Sequence, residues 1–500
     1  MNQRKLGVIL TYATMLAGFL VSMVYTPVML RVLGQEEYGL YTFVLAVVSY
    51  LTLFSFGFTN GYIRFYSRFK AVGDEDGLAR LNALFMTIYF AIGVLVLIIG
   101  AILVANSDAV LGSKYSPEQH HLAKFLFAVL ILDLALSFPI SVATAYIMAH
   151  EQFVFQKSMV FIRQVIGPLV MIPVLLLGAG SLGLVSTTLS VNVIAGFWTF
   201  HFAVRRLGFS FKFGQFQWEL TREIFIFSSY LFLGMIINQI NWNIGKFIIG
   251  RMNGPTDAAI VGLAVQLVTY FLALGGGIAG VFIPEVNRLA AERRPTSELT
   301  AVWTRIGRIQ FILLWLTISG FVIYGAPFIE LWAGPQYHET YPVAVIFIVP
   351  LIVPLSQSLG IEIQQAQNLH QFRSLVYLVF AVLNIVLCIP LVRLFGPNGV
   401  GYATAFALIF GHGIAMNWYY HFHMDMNVVR FWRSLLNLLP SFLPAGVVGL
   451  LMWWYLPLEK PLVLLSSITV YTAVFALFVW KFGMGEYERN LVLSIVKRNS

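Results

Sequence analysis

ALFMTIYFAIGVLVLIIGAILVA, residues 83–105, runs for 23 residues without a formal charge. At about 1.5 Å per residue a helix of that length is roughly 35 Å long, enough to cross a hydrocarbon core of about 30 Å. Inside lipid every backbone amide and carbonyl must pair within its own segment, so such a run is a helix. The flank before it, Gly73-Asp74-Glu75-Asp76, is turn and charge. Runs of the same kind recur along the chain at 8–31, 39–62, 122–148, 158–179, 183–204, 224–250, 258–283, 309–332, 342–362, 375–394, 399–420, 434–456 and 462–482, fourteen in all. Punctuation such as Gly178-Ala179-Gly180-Ser181, Arg293-Arg294-Pro295 and Gly396-Pro397-Asn398-Gly399 separates them. The expected fold class is an all-α integral membrane protein of about 14 transmembrane helices. The first run is too long for a signal-peptide core and is expected to stay uncleaved.

Composition agrees. Apolar residues make up 59% of the 500, and charged residues only 11%. A soluble domain carries about 25% charged residues, so this chain excludes a soluble enzyme, a disordered chain and a nucleic-acid binder despite its net charge of +9. A single cysteine, Cys388, excludes an intrachain disulfide and a thiolate metal cluster.

The basic residues set the orientation. With the N-terminus in the cytoplasm, 24 of the 31 Lys and Arg fall in inside segments. The remaining seven, Arg31, Lys114, Lys124, Lys246, Arg251, Arg393 and Lys460, fall outside. Positive charge is retained on the cytoplasmic side, so both termini are expected there, and topology alone explains the net charge.

A repeat runs through the chain at an offset of about 219 residues. Gly34 matches Gly254, Gly57 and Gly61 match Gly276 and Gly280, Gln152-Phe153 matches Gln371-Phe372, and Gly178 and Gly183 match Gly396 and Gly401. Six spans separate the copies, so both share one orientation, a parallel repeat about an axis along the membrane normal. The expected organisation is a six-helix lobe at 1–205, a basic cytoplasmic linker at 206–223, a second six-helix lobe at 224–420, and two extra helices with a cytoplasmic tail at 421–500. Two lobes of this kind are the layout of an alternating-access transporter. The Gly-x-x-x-Gly pairs let helices pack closely, and packing alone accounts for them.

Five motifs carry a family resemblance: LRVLGQEEYGLY at 30–41, GYIRFY at 61–66, NWNIGKFIIG at 241–250, IPEVNRL at 283–289 and GPNGVGYAT at 396–404. In this order and at these span positions they resemble the polysaccharide transporter branch, the O-antigen and exopolysaccharide flippases, of the multidrug/oligosaccharidyl-lipid/polysaccharide exporter superfamily. The resemblance covers essentially the whole chain. It implies fourteen spans in two lobes and passage of undecaprenyl-diphosphate-linked oligosaccharide across the bacterial inner membrane. The multidrug branch usually has twelve spans, so the final pair favours the glycan branch. Members often carry an Asp before the Ile-Ile-Gly of the seventh span; here Gly245 and Lys246 precede it, which puts any ion-coupling role of that Asp in doubt.

An ionisable residue at membrane depth costs several kcal/mol unless paired or hydrated, and is a functional-site hypothesis by default. Asp133 lies near the centre of the fourth span. It reads either as a buried carboxyl, kept neutral or bonded to a neighbouring serine, or as an ion or proton site. Arg163, about one and a half turns inside the fifth span, either snorkels to the inner headgroups or meets a diphosphate. Asn238, Asn241, Trp242 and Lys246 share one arc at about 100° per residue. Amides suit sugar hydroxyls, an indole covers an apolar sugar face, and an ammonium meets phosphate as a point charge. The plainer reading is helix packing for the Asn side chains and an interface belt for Trp242 and Lys246.

No P-loop, no HExxH and no clustered metal ligands occur, so no cofactor is expected and the chain is not read as an enzyme. Coupling to a proton or sodium gradient is left open. The expected partners are the lipid-linked oligosaccharide, membrane lipids, and a polysaccharide polymerase with its chain-length machinery; no nucleic acid is expected. A cation-coupled multidrug antiporter and a peptidoglycan lipid-precursor flippase are the alternatives within the superfamily. A membrane polysaccharide polymerase is disfavoured by the short loops. The topology has a direct test: alkaline phosphatase fused after Lys212 or Arg294 is expected to be inactive, and fused near Ser113 or Lys460 active. Activity after Arg294 would overturn the two-lobe scheme.

Overall fold

The computed structural model describes residues 3–214, 218–292, 294–367 and 369–498; Arg293 of the basic segment lies outside them. The described residues are helical almost throughout. The helices are α1 (Gln3–Ser49), α2 (Phe58–Ala71), α3 (Glu75–Ala105), α4 (Pro117–Ala149), α5 (Phe153–Leu176), α6 (Gly180–Leu207), α7 (Trp218–Asn253), α8 (Pro255–Ala291) and α9 (Thr296–Trp332). Then follow α10 (Thr340–Ser356), α11 (Ser358–Ala366), α12 (His370–Phe395), α13 (Pro397–Phe422), α14 (Val428–Tyr455), α15 (Pro461–Gly483) and α16 (Glu486–Arg498). Among the described residues 12 helical stretches are long and apolar enough to cross a membrane, or 13 with α10 and α11 taken as one span bent by 42°.

The count differs from the expected 14 at the start of the chain and at the bend between α10 and α11. Ala13–Ala71 is a continuous apolar stretch of 59 residues, and the two spans read from the sequence, 8–31 and 39–62, lie on either side of Gly34. Gly34 interrupts it with φ +72, and a second break falls at Phe56 and Gly57, both left-handed. Positive φ is costly for a bulky residue; here Phe56 stacks on Phe232 at 4.0 Å between ring centroids.

The chain divides into two compact units, Met1–Ala259 and Ile260–Ser500. By contacts α7 belongs to the first unit. In that unit α4 is the central helix. It begins with a capping box, in which Ser116 accepts from the Gln119 amide at 3.2 Å and Gln119 accepts from the Ser116 amide at 3.0 Å, with Pro117 at its first position. Pro139 inside α4 withdraws the amide that would pair with the Ala135 carbonyl. Gly93 of α3 lies against that carbonyl, so that a Cβ there would sit 3.0 Å from the oxygen. Glycine also lets Gly100 meet Ile131 and Gly196 meet Ile140.

The Gly-x-x-x-Gly pairs behave differently from one another. Gly57 and Gly61 pack on Leu231 and Ser228, whereas a Cβ at Gly276 or Gly280 would meet nothing within 4 Å. The repeated turn glycines do correspond: Gly34 and Gly254, and Gly178 and Gly396, all adopt positive φ. After α6 the chain stays fastened to the first unit. Tyr146 donates to Leu207 O at 2.9 Å, Asn82 to Ser210 O at 2.9 Å, and the Lys212 amide to Ala79 O at 3.1 Å. The Lys212 ammonium pairs with Asp76 at 2.8 Å.

The second unit packs around α9. Trp303 stacks on Phe431 at 3.9 Å. Its indole N–H reaches the Gln357 carbonyl at 3.4 Å, at the bend between α10 and α11. Arg308 is held on every side: Nε donates to Glu488 of α16 at 2.6 Å, Nη1 to Ser434 O at 3.0 Å, and Nη2 to Gly483 O at 2.9 Å. Glu488 is buried.

Close backbone approach makes one glycine of the first unit a stringent test. A Cβ at Gly39 would lie 1.8 Å from the Pro255 carbonyl oxygen. Gly39→Ala is expected to cost roughly 1–3 kcal/mol by overpacking and to lower the thermal midpoint of purified protein by several degrees. Gly276→Ala is expected to leave it unchanged or raised. An unshifted midpoint for Gly39→Ala would contradict the close approach.

Candidate functional site

A cavity of about 200 Å³ lies within the first unit, lined by Thr59, Asp133, Ser137, Ser141, Thr144, Arg163 and Asn192, with Leu136, Ile140 and Val193. Each wall has a local cause. The break at Phe56-Gly57 starts α2 afresh and brings Thr59 to the cavity, where its hydroxyl bonds the Tyr89 hydroxyl at 3.0 Å. Asp133, Ser137, Ser141 and Thr144 follow one another at spacings of 4, 4 and 3 along α4, which places them on a single helix face.

Arg163 stands near the middle of α5, in a π-helical segment, Ile162–Ile166. Gly167-Pro168 follows directly. Proline has no amide to give the preceding turn, and the wider i→i+5 register accommodates that loss. Arg163 thus lies well inside α5, which begins at Phe153, and it lines the cavity. Asn192 comes from α6, whose N-terminus is met by Glu37, accepting from the Ser181 amide at 2.6 Å.

Two of the residues singled out from sequence, Asp133 and Arg163, are therefore brought together. The partner of Asp133 is not a serine. The Asn192 amide donates to both carboxylate oxygens, at 3.1 and 3.0 Å, while Ser137 donates to Leu134 O at 2.6 Å within its own helix. Asp133 and Arg163 form no direct ion pair, and among the described residues no acceptor hydrogen-bonds the guanidinium. Asn192 and the hydroxyl stripe were not singled out from sequence. The 4-4-3 spacing beneath Asp133 was the available signal for the stripe; nothing local marked Asn192.

The other four candidates lie elsewhere, on α7, and none of them lines this cavity. Asn241 and Trp242 sit in a second π-helical segment, Ile240–Ile244. The i→i+5 register widens the turn there, so the count of 100° per residue does not carry straight through from Asn238 to Lys246. Asn238 is exposed; Asn241, Trp242 and Lys246 are half-buried. None of the four hydrogen-bonds another, and no carboxylate among the described residues pairs with Lys246. The Asn241 Oδ1 and the Gln239 Nε2 are buried without a partner, a state that native proteins leave to water or a ligand to satisfy. Gln239 was a residue the sequence reading passed over.

Chemically, the cavity offers one carboxylate, one guanidinium, one amide and four hydroxyls at membrane depth. It is suited to holding a polar group, and its lining lacks histidine, cysteine and any second carboxylate.

The comparisons with known proteins agree with this fold. The chain is similar to the uncharacterized membrane protein EpsK of Bacillus subtilis (strain 168), with 22% identity over 499 residues and 97% of each chain covered. Its fold matches the lipid II flippase MurJ in an inward closed conformation, with a TM-score of 0.74 at 13% identity, covering 97% of this chain and 99% of that one. It also matches an inward-facing multidrug resistance MATE family transporter of the MOP superfamily, with a TM-score of 0.68 at 14% identity over 84% of this chain and 96% of that one. The family model described as "Polysaccharide biosynthesis protein" matches residues 5–290. That match takes in more than half of the sequence, and it includes both the polar cavity and α7: this multi-pass membrane protein belongs to the polysaccharide biosynthesis protein family, and its fold is like that of the two solved structures.

Proposed function

We propose that the protein is a flippase that carries an undecaprenyl-diphosphate-linked oligosaccharide across the bacterial cytoplasmic membrane, for surface or secreted polysaccharide assembly, by alternating access. The observation that carries this reading is a cavity of mixed charge and hydroxyls set among membrane spans in a chain of the polysaccharide biosynthesis family. Such groups are expensive in hydrocarbon and are kept where a polar substrate passes. In this reading 1–205 and 224–420 act as the two lobes, 206–223 links them on the cytoplasmic side with both termini, and 421–500 is accessory. Gradient-driven coupling to a proton or sodium ion through Asp133 is the second use open to the cavity. The chain performs no covalent chemistry in this scheme; polymerisation of the delivered units falls to a separate polymerase and its chain-length partner.

Lys246 is proposed to receive the diphosphate, flanked by Asn238, Asn241 and Trp242 for sugar contact, with Arg163 as a further contact to the head group. The unpartnered Asn241 Oδ1 and the absence of a carboxylate for Lys246 support it. A second reading, passage of a peptidoglycan lipid precursor, draws on the fold match to a lipid II flippase.

Deletion of the gene is expected to abolish surface polysaccharide while lipid-linked repeat units accumulate on the cytoplasmic leaflet. A change in drug sensitivity alone, with polysaccharide intact, would favour the antiporter; arrest of cell-wall synthesis would favour the peptidoglycan precursor. For Lys246, charge should matter more than shape, since an ammonium acts as a point charge. Lys246→Arg is expected to keep much of the polysaccharide output, and Lys246→Ala and Lys246→Glu to lose most of it at unchanged membrane abundance. Full output from a well-expressed Lys246→Glu protein would sink the phosphate contact.

A further inference from the structure

The cavity of the first unit has a chemistry that narrows what can occupy it. Three of its hydroxyls already donate within α4: Ser137 to Leu134 O at 2.6 Å, Ser141 to Ser137 O at 2.8 Å, and Thr144 to Ile140 O at 3.1 Å. What they present to the cavity is lone pairs. Ionised Asp133 presents acceptors and no donor, and Asn192, whose amide nitrogen is engaged with Asp133, has its carbonyl oxygen left. One wall is therefore rich in acceptors. Arg163 brings five N–H donors, none of them taken up by a described residue. An occupant must supply several donors to α4 and at least one acceptor to Arg163, and hydroxyls on adjacent carbons do both. Leu136, Ile140 and Val193 supply the apolar contact that the C–H face of a sugar ring requires.

Size and charge limit it further. A cavity of about 150 Å³ holds a benzene ring, so about 200 Å³ takes one six-membered ring and no more of a glycan. It is smaller than the roughly 300–1,000 Å³ of a pocket that encloses a whole small ligand, as suits a subsite for one residue of a longer chain. Its formal charge is zero, with one carboxylate and one guanidinium. An added cation meets Arg163 as well as Asp133, and an added anion Asp133 as well as Arg163, so neither sign gains a clear net attraction. An uncharged polar group meets neither penalty. The two side chains also stand apart without an ion pair, which leaves a gap that hydroxyls can bridge.

We propose that this cavity receives one uncharged sugar ring of the transported glycan, with Asp133 and Arg163 acting as each other's counter-charge instead of binding a coupling cation. The proposal rests on the glycan-transport reading, and it is tested by a binding measurement that does not depend on transport. Ser141→Cys in a Cys388→Ala background places a single thiol on the cavity wall of protein reconstituted in nanodiscs, and its alkylation by N-ethylmaleimide is timed. D-Galactose or N-acetyl-D-glucosamine at about 100 mM, far above a millimolar dissociation constant, is expected to slow alkylation at least about fivefold. D-Glucuronate, and sodium exchanged for choline at constant ionic strength, are expected to leave it unchanged. Protection by sodium, or no protection by either neutral sugar, overturns the proposal.

A charge-balance series in cells supplies a second arm. Asp133→Asn and Arg163→Gln each leave one uncompensated charge and are expected to cut surface polysaccharide about tenfold. The double variant, neutral again, is expected to recover to within about threefold of wild type, a coupling that a double-mutant cycle isolates. Membrane abundance and thermal midpoint are checked for all three. A double variant as inactive as the singles overturns the counter-charge role. If gene deletion leaves polysaccharide intact while the thiol is still protected by sugar, it is the glycan-transport reading that fails and not the pocket.

Discussion

Hydrocarbon offers no hydrogen-bond partner, so a chain that lies in it must satisfy its own backbone. Nearly everything described in this protein follows from that. It makes the described residues helical, and it makes each departure from the α-helix expensive enough to require local compensation. Some of the departures carry polar residues. The π-helical turn at Ile162–Ile166 carries Arg163, the one at Ile240–Ile244 carries Asn241 and Trp242, and the left-handed break at Phe56-Gly57 precedes Thr59. Irregular backbone at membrane depth is tolerated where it lines a polar space, and here the irregular turns and the polar side chains coincide.

Polar groups follow the same economy within each unit. Asp133 has the Asn192 amide, the α4 hydroxyls have carbonyls of their own helix, and Arg308 has a carboxylate and two backbone carbonyls. Unpartnered buried atoms remain in both units, among them Gln239 Nε2 and Asn241 Oδ1 in the first and both side-chain polar atoms of Gln364 in the second.

The spans were legible in the sequence because hydropathy over some 20 residues is a long signal that tertiary contacts rarely override. Residues 83–105 sit within α3, and the glycines at 34, 178, 254 and 396 that the sequence aligned in its repeat all adopt positive φ. Less was legible where the outcome depends on partners far along the chain. Asn192 could not be tied to Asp133, 59 residues away, without knowing that α4 and α6 pack through Gly196 and Ile140. The π turns left no local pattern beyond Gly167-Pro168, so a helical wheel drawn at a constant angle does not carry straight through α7.

The clasp around Arg308 ties biosynthesis to structure. Arg308 is made 180 residues before Glu488. Until that later segment emerges from the ribosome, the guanidinium within α9 lacks its carboxylate partner. A chain halted before Glu488 keeps a hydrophobic bundle but carries one uncompensated charge at its margin. Completion of synthesis thereby neutralises a charge that the unfinished chain leaves bare.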